Sequence, residues 1–229
     1  MTARAALKGM IVNDTKTKLM CATVAKTFEA RATLNGRNGE IISASDKIKT
    51  LGYWLPADCG QASNVKAMGS KMRAKTWALQ SLKRCGFDHN DLITVYKSMM
   101  RPIVEYSSPA WGSMLTGEQG EALERHQTQA LKHIFGPGLS AKKMRQMANI
   151  DTLGERRERA ALKFARKAEL NPRFKHWFTE RDIPGRARRE SASYRCYEEV
   201  RFRTDRHMNS PLNYLRRLLN KNGAQRNKK

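Results

Sequence analysis

The sequence predicts an α+β fold that is mostly α-helical. Before residue 60, short apolar stretches separated by turn dipeptides indicate β-hairpins. After residue 60 the apolar residues recur at helical spacing, and beyond residue 180 the chain is polar and basic. We therefore expect small hairpins over 1–59, a helical domain over 60–150, a further helix within 151–180, and a basic linker with C-terminal helices and a partly disordered tail over 181–229.

The N-terminal region is predicted to contain hairpins and one longer strand. Two Asn-Gly dipeptides within 35–39 predict a hairpin that joins 32–34 to 40–42. Residues 47–55 alternate polar and apolar and then become apolar, which predicts a single strand ended by Pro56. Two shorter strands are expected before them, at 10–12 and 18–23.

A long amphipathic helix is predicted after residue 60. Ser63 or Asn64 can cap its start, and Gly86 stands where a C-terminal glycine belongs. Its apolar stripe consists of Val65, Met68, Met72, Leu79 and Leu82. The other side carries basic residues that are candidate phosphate contacts, namely Lys66, Lys71, Arg73, Lys75, Lys83 and Arg84. One side of the helix can therefore pack while the other meets a polyanion.

Capping signals and breakers predict the later helices. Asp88 or Asn90 begins the next helix, which Pro102 breaks or kinks. Thr116 and Gln119 have the spacing of a capping box, and the helix that they open stops at Gly136. The remaining predicted helices are 140–148, 151–170, 195–206 and 211–219, and the last eight residues, 222–229, are expected to be disordered.

The cysteines and the apolar runs narrow the class of protein. The four cysteines, at 21, 59, 85 and 196, are too sparse for a disulfide scaffold and form no Cys-x-x-Cys pair, so no structural zinc site is predicted. No apolar window reaches the length of a membrane helix, and the N-terminus lacks the apolar run of a secretory signal. We expect reduced thiols in a nuclear or cytoplasmic protein.

The net charge is the first indication of function. The chain has 44 Lys and Arg against 21 Asp and Glu, a formal charge of +23, and every region of it is basic. Such an excess attracts polyanions and speeds encounter with them. Nucleic acid is the commonest polyanionic partner. A solvated basic surface, and an acidic protein or membrane surface, are the alternatives.

No constellation of catalytic or metal-binding residues is apparent. The chain has no Asp-Asp, Asp-x-Asp or Glu-x-x-His set, no glycine-rich phosphate loop and no nucleophile elbow. His126 and His133 are seven residues apart on one predicted helix, and we interpret them as surface residues rather than ligands. A further hypothesis is an unrelated enzyme whose catalytic residues are distant in the sequence and come together only in the folded chain.

An ordered series of short motifs runs along the chain. The series is Gly9-Met10-Ile11-Val12 with Asn13-x-x-Lys16-Thr17, Leu51-Gly52, Tyr96-Lys97-Ser98, Arg101-Pro102-Ile103-Val104-Glu105-Tyr106, Ser108-Pro109-Ala110-Trp111, Leu123-Glu124 with Gln127, Leu153-Gly154-Glu155-Arg156-Arg157, and Asn171-Pro172-Arg173-Phe174. In this order and spacing it resembles the C-terminal part of reverse transcriptases from non-LTR retrotransposons, the LINE-type and jockey-like elements. The resemblance covers residues 5–180, and 203–215 resembles the extreme C-terminus of these enzymes.

The resemblance implies a role for each region. Residues 9–23 correspond to the last palm motif, in which Lys16 would lie near the incoming triphosphate and assist pyrophosphate departure. Leu51 and Gly52 correspond to the primer grip, where backbone approaches the primer end. Residues 60–135 resemble the helical thumb, which holds the duplex by its phosphates, and the six basic residues above are the candidates for that contact.

The chain departs from the family at the catalytic centre. The family's Tyr-x-Asp-Asp element and an earlier aspartate hold two magnesium ions, and this sequence has neither. We therefore expect no cofactor in this fragment and no polymerase activity from it alone. The chain is then either a retrotransposon relic or a piece of a longer enzyme. The expected partners are an RNA–DNA hybrid or DNA duplex and the missing palm and fingers, with no membrane.

Other residues of the motif series are interpreted as structural. Arg101, Glu105, Tyr106 and Trp111 have this role, and Tyr106 and Trp111 are expected to be core anchors rather than stacking platforms. The methionines at 68, 72, 99 and 100 are expected to fill the core. The alternative function is that of a non-enzymatic nucleic-acid-binding protein that acts through its basic tail from Arg181 onward.

Overall fold

The computed structural model describes residues 7–9, 13, 16–21, 33–36, 41–180, 197–198, 202 and 204–226. The chain divides into two compact units, Met1–Asn64 and Val65–Lys229. The predicted strand at 10–12, part of the one at 18–23, and the predicted linker from 181 to 195 lie outside the described residues.

Two antiparallel hairpins form the described part of the first unit. β1 (Thr33–Asn35) pairs with β2 (Ile41–Ser43), as the Asn-Gly dipeptides predict, with Leu34 opposite Ile42. β3 (Lys47–Thr50) pairs with β4 (Tyr53–Pro56). The prediction of one strand over 47–55 is therefore wrong, because the chain reverses in its middle.

The reversal occurs at Leu51-Gly52. Both residues have positive φ, +48° at Leu51 and +82° at Gly52. Two successive positive φ angles are what a type I′ hairpin turn requires, and its twist matches that of the flanking strands. Glycine adopts this region freely, whereas leucine does so at a cost on the order of 1 kcal/mol. Because leucine is apolar, the sequence pattern at this turn is typical of a strand.

The first helix, α1 (Ala62–Arg84), begins without the predicted cap. The Asn64 side chain is buried and bonds the backbone of Trp54 on both sides, accepting from its N–H at 2.9 Å and donating to its carbonyl at 2.6 Å. The prediction that Ser63 or Asn64 caps the helix is therefore wrong. The C-terminal end matches its prediction, since Gly86 follows the helix at φ +89°.

The second unit is helical in all its longer elements. After α1 come α2 (His89–Val95), a π-helical turn (Tyr96–Met100), α3 (Arg101–Glu105), α4 (Ser108–Trp111), a 3-10 turn (Gly112–Met114), α5 (Gly117–Phe135), α6 (Ala141–Ala148), α7 (Leu153–Leu170), a 3-10 segment (Pro172–Trp177), α8 (Asp205–Met208) and α9 (Pro211–Arg226). A mostly helical chain with small hairpins agrees with the predicted fold class. None of the helices in the described part is long and apolar enough to span a membrane.

Local side-chain caps start these helices. Asp88 caps α2 by accepting from the Asp91 N–H at 2.8 Å. Thr116 and Gln119 form the predicted capping box of α5. Pro102 does break the regular ladder, because the chain passes through the π-helical turn immediately before α3, in which the Arg101 N–H donates to the carbonyl of Tyr96.

The core of the second unit is built from aliphatic side chains and, within the described residues, four aromatic ones. Trp111 is fully buried, as predicted, and its Nε1 donates to the Tyr106 carbonyl at 2.8 Å. The Tyr106 side chain itself is 59% exposed, so its prediction as a core anchor is wrong. Met72 and Met100 are buried, but Met99 is 47% exposed and does not fill the core. Met99 points away because Met100, its neighbour on the same turn, takes the inward position.

The C-terminal helix shares a core with α7. Small residues of α7 face leucines of α9, and the members of this cluster are Ala161, Ala165, Ala168, Phe178, Tyr197, Leu215, Leu218 and Leu219. The helix continues to Arg226, so the prediction of disorder from 222 is wrong for 222–226. An anchored helix extends at little cost, because each added residue gains a backbone hydrogen bond.

Candidate nucleic-acid interface

Among the helices of the described chain, α1 carries the largest excess of basic over acidic residues. It has six basic residues and no acidic residue in its 23 positions. All six predicted contact residues, Lys66, Lys71, Arg73, Lys75, Lys83 and Arg84, are exposed. Their side chains are therefore accessible to a partner.

The helical period sorts these cations into separate faces. At about 100° per residue, Lys66, Arg73 and Arg84 fall within about 20° of one another and form one stripe. Lys71 and Lys75 are four residues apart and form a second, shorter stripe. The two stripes lie about 140–180° apart around the helix axis, so the structure places these five predicted contacts on two different faces of α1.

Lys83 has a different environment. Its Nζ donates to the carbonyls of His133 at 2.9 Å and Ile134 at 2.8 Å, the last turn of α5. Carbonyls at a helix C-terminus lack intrahelical partners and carry partial negative charge, so a lysine ammonium group stabilises them. Lys83 therefore links α1 to α5, a contact that its spacing in the sequence, which groups it with the other five cations, does not indicate.

The other cations of α1 have no carboxylate partner within the described residues. Arg73 Nη2 donates to the Ser70 hydroxyl at 3.1 Å, a neutral group on the same helix. Two arginines of α7 are paired with carboxylates, since Arg156 forms a two-point contact with Glu105, and Arg159 contacts Asp151. Within the part of the chain that the structure describes, no ion pair neutralises the positive charge of these five side chains.

Trp77 is a feature that the sequence reasoning missed. It lies one turn after Arg73 and two turns before Arg84, so it shares their face, and it is 67% exposed. Beside it lies an apolar groove of about 320 Å³. The groove is lined by Lys75, Trp77, Ala78, Ser81, Leu82, Cys85, Val95, Met99 and Met100. The signal available in the sequence was a tryptophan outside the apolar stripe of its helix.

The two histidines lie where α5 meets α1 rather than on a free surface. A Gln80 nitrogen lies 3.0 Å from His133 Nδ1, and Gln129 Nε2 lies 3.0 Å from His133 Nε2. His126 faces Gly69, where an added Cβ would stand 2.6 Å from its Nε2. Burial first, and then nearby cations, hold the pKa of both imidazoles below the ordinary 6.5.

The remaining predicted site residues lie in the first unit. Lys16 is exposed in a turn, where its backbone N–H donates to Asn13 Oδ1 at 3.0 Å. Leu51 is 86% exposed at the tip of the second hairpin, beside Gly52. Trp54 of the same hairpin lies under the ammonium groups of Lys47 and Lys49, at 5.5 and 5.7 Å from the ring centroid. Within the described residues no group of three metal-ligating side chains occurs.

Comparisons with protein-family models, with curated proteins and with solved structures find no match for this chain. The candidate site is therefore characterised from the residues of this chain alone. Its features are a helical unit, a basic helix without acidic residues, and an exposed tryptophan between its cations.

Proposed function

We propose that this protein binds nucleic-acid duplexes, an RNA–DNA hybrid or DNA, through the cationic stripes of α1. The observation that carries the proposal is the set of five exposed cations without a described carboxylate partner on one helix. This chemistry agrees with a thumb segment related to reverse transcriptases, one that holds a duplex but does not polymerise.

The dimensions of α1 suit contact with phosphates. Lys66 and Arg84 are 18 residues apart, which at about 1.5 Å per residue separates them by about 27 Å, the length of about eight base pairs. Lysine and arginine at the surface bind phosphate without reading the bases. Binding is therefore expected to be independent of sequence and to weaken steeply as salt increases.

The first test replaces the five free cations by glutamine and leaves Lys83 intact. The variant carries glutamine at positions 66, 71, 73, 75 and 84. Each lost contact with duplex reduces the slope of log affinity against log salt by about 0.9. The slope should therefore fall by about 3 if the stripe of Lys66, Arg73 and Arg84 meets the duplex, and by about 4.5 if all five residues do. Fluorescence anisotropy with a labelled hybrid duplex, measured across a salt series, gives both affinity and slope.

A matched control separates local contact from net charge. Five exposed cations of α6 and α7, Lys142, Lys143, Lys163, Arg166 and Lys167, are replaced by glutamine instead. The net charge falls equally in both variants, so an equal loss of slope would contradict the assignment to α1. Salt-insensitive or absent binding by the natural protein would contradict the proposal as a whole.

The expected absence of polymerisation has its own measurement. Phosphoryl transfer by two metal ions needs carboxylates that hold them, and the 229 residues contain no Asp-Asp pair. We expect no extension of an annealed primer in the presence of Mg²⁺ and deoxynucleotides. Extension by purified protein would overturn this part of the proposal.

The basic tail is the second candidate for the binding surface. Residues 181–229 hold fourteen basic and five acidic residues. Several of these cations are already engaged. Arg216 Nε donates to the Trp177 carbonyl at 2.7 Å, Arg217 Nη2 donates to the Met208 carbonyl at 2.9 Å, and Lys221 Nζ lies 3.9 Å from Glu158 Oε1.

Truncation at Arg181 cannot separate the two candidates, because it removes α9 from its core with α7. Glutamine at Arg181, Arg186, Arg188 and Arg189 removes charge without removing α9. A larger loss of affinity from these four changes than from the five in α1 would favour the tail.

A further inference from the structure

Trp77 occupies an unusual position for a large apolar side chain. It stands near the middle of α1, on the face of Lys66, Arg73 and Arg84, with most of its ring exposed. Buried apolar residues of the same helix, Met72 and Leu79, lie on the opposite side and form the core. Packing of this unit therefore does not account for an indole at this position.

The groove beside the ring is apolar and open. Its walls come from α1 and the Cys85 that follows it, from Val95 at the end of α2, and from the π-helical turn, where the exposed Met99 contributes. Its volume of about 320 Å³ lies at the small end of the range for ligand pockets, about 300–1,000 Å³. Lys75 stands at its edge, so a ring that enters the groove has a cation next to it.

We propose that Trp77 stacks on an unpaired nucleobase next to the duplex that α1 holds. This inference rests on the proposed function and adds a second ligand, single-stranded nucleic acid. An aromatic face accepts any base, and cations around it bind the flanking phosphates, which is how proteins hold single strands without sequence preference. Cations on both sides of the ring, with no carboxylate on α1, favour this occupant.

The test compares a blunt duplex with the same duplex carrying a short oligo-dT extension. Trp77→Ala should lower affinity for the extended duplex about tenfold, within the range of 5- to 150-fold expected for one stacked base, and leave affinity for the blunt duplex unchanged. Trp77→Phe should retain most of the affinity, because a phenyl ring still stacks. An abasic extension should bind natural protein no better than the blunt duplex.

Tryptophan fluorescence gives a second readout. Stacking on a base quenches indole emission, so the extended duplex should quench the natural protein more than the blunt one does. Trp77→Phe keeps the other three tryptophans of the chain and should lose this difference while still binding. Leu170→Ala, an exposed apolar change on α7, is the control and should alter neither readout.

The outcomes are separable. If natural protein binds neither duplex, the proposed function fails and the stacking proposal fails with it. If it binds both, and Trp77→Ala changes nothing, duplex binding stands and stacking is wrong, as expected if the groove instead receives an acidic helix of another protein. An equal loss on both duplexes overturns stacking too, because the ring then contacts the duplex itself.

Discussion

A buried chain of hydrogen bonds joins three elements at the level of single residues. Tyr96 Oη donates to Gln127 Oε1 at 2.8 Å, and Gln127 Nε2 donates to the Asp151 carbonyl at 3.0 Å. Both side chains are almost completely buried, and burial raises the pKa of the Tyr96 hydroxyl well above its ordinary value of 10.0. The hydroxyl therefore stays protonated and keeps its role as donor.

Replacing Gln127 tests this chain. Gln127→Leu leaves the Tyr96 hydroxyl and the Asp151 carbonyl without partners, which should lower the free energy of unfolding by about 2–3 kcal/mol. Tyr96→Phe removes only the donor and should cost about 1 kcal/mol. Urea unfolding followed by circular dichroism measures both. Gln146→Leu, an exposed change on α6, is the control, and a Gln127→Leu protein as stable as this control would contradict the role.

Gly69 sets how closely α1 approaches α5. Gly69→Ala gains about 1 kcal/mol of helix propensity, but its Cβ meets the His126 ring, and overpacking costs about 1–3 kcal/mol. We expect a net loss of about 1 kcal/mol in urea unfolding. In a His126→Ala background the same change should be stabilising, since the obstacle is gone. Equal effects in both backgrounds would show that the two residues do not interact.

At the scale of secondary-structure elements, the contact between α1 and α5 makes the free energy of unfolding depend on pH. The pKa of His126 is lowered by burial, then by Arg73 and Arg125, and that of His133 by burial, then by Lys83. Protons therefore bind the unfolded chain more readily than the folded one. The unfolding free energy should be highest above pH 6.5 and decline as pH falls through that value.

Urea unfolding between pH 5 and 8 measures this dependence. A protein with glutamine at both histidines should show a flatter profile over the same range, because neither side chain titrates. A natural protein whose stability rises as pH falls toward 5 would contradict the assignment.

The elements that the sequence predicts correctly are those with local causes. The Thr116 capping box and the glycine after α1 depend on residues a few positions apart, and both are found. The turn at Leu51-Gly52 was missed because hairpin pairing imposes positive φ on a leucine, which no local preference indicates. The exposed position of Trp77 was missed, and the bonds of Lys83 to α5 could not be predicted, because neighbours from α5 and the π-helical turn decide their surroundings.

At the scale of the whole molecule, charge and core are distributed differently. The formal charge of +23 extends over every region of the chain, but in the described residues two arginines of α7 are paired with carboxylates, whereas the cations of α1 are not. The C-terminal helix α9 belongs to the helical unit through its core with α7.

Leu215 provides a test of whether α9 unfolds together with the rest of the helical unit. It is almost fully buried against α7, and Leu215→Ala removes a side chain from the shared core, so the unfolding free energy should fall by about 2–4 kcal/mol. Leu170→Ala, at a position 81% exposed, removes the same atoms from solvent and should change it little. If α9 were an independent appendage, Leu215→Ala would leave the main urea transition of α1–α7 unchanged. A single transition, shifted as a whole, is the expected result, because residues that share one core unfold together.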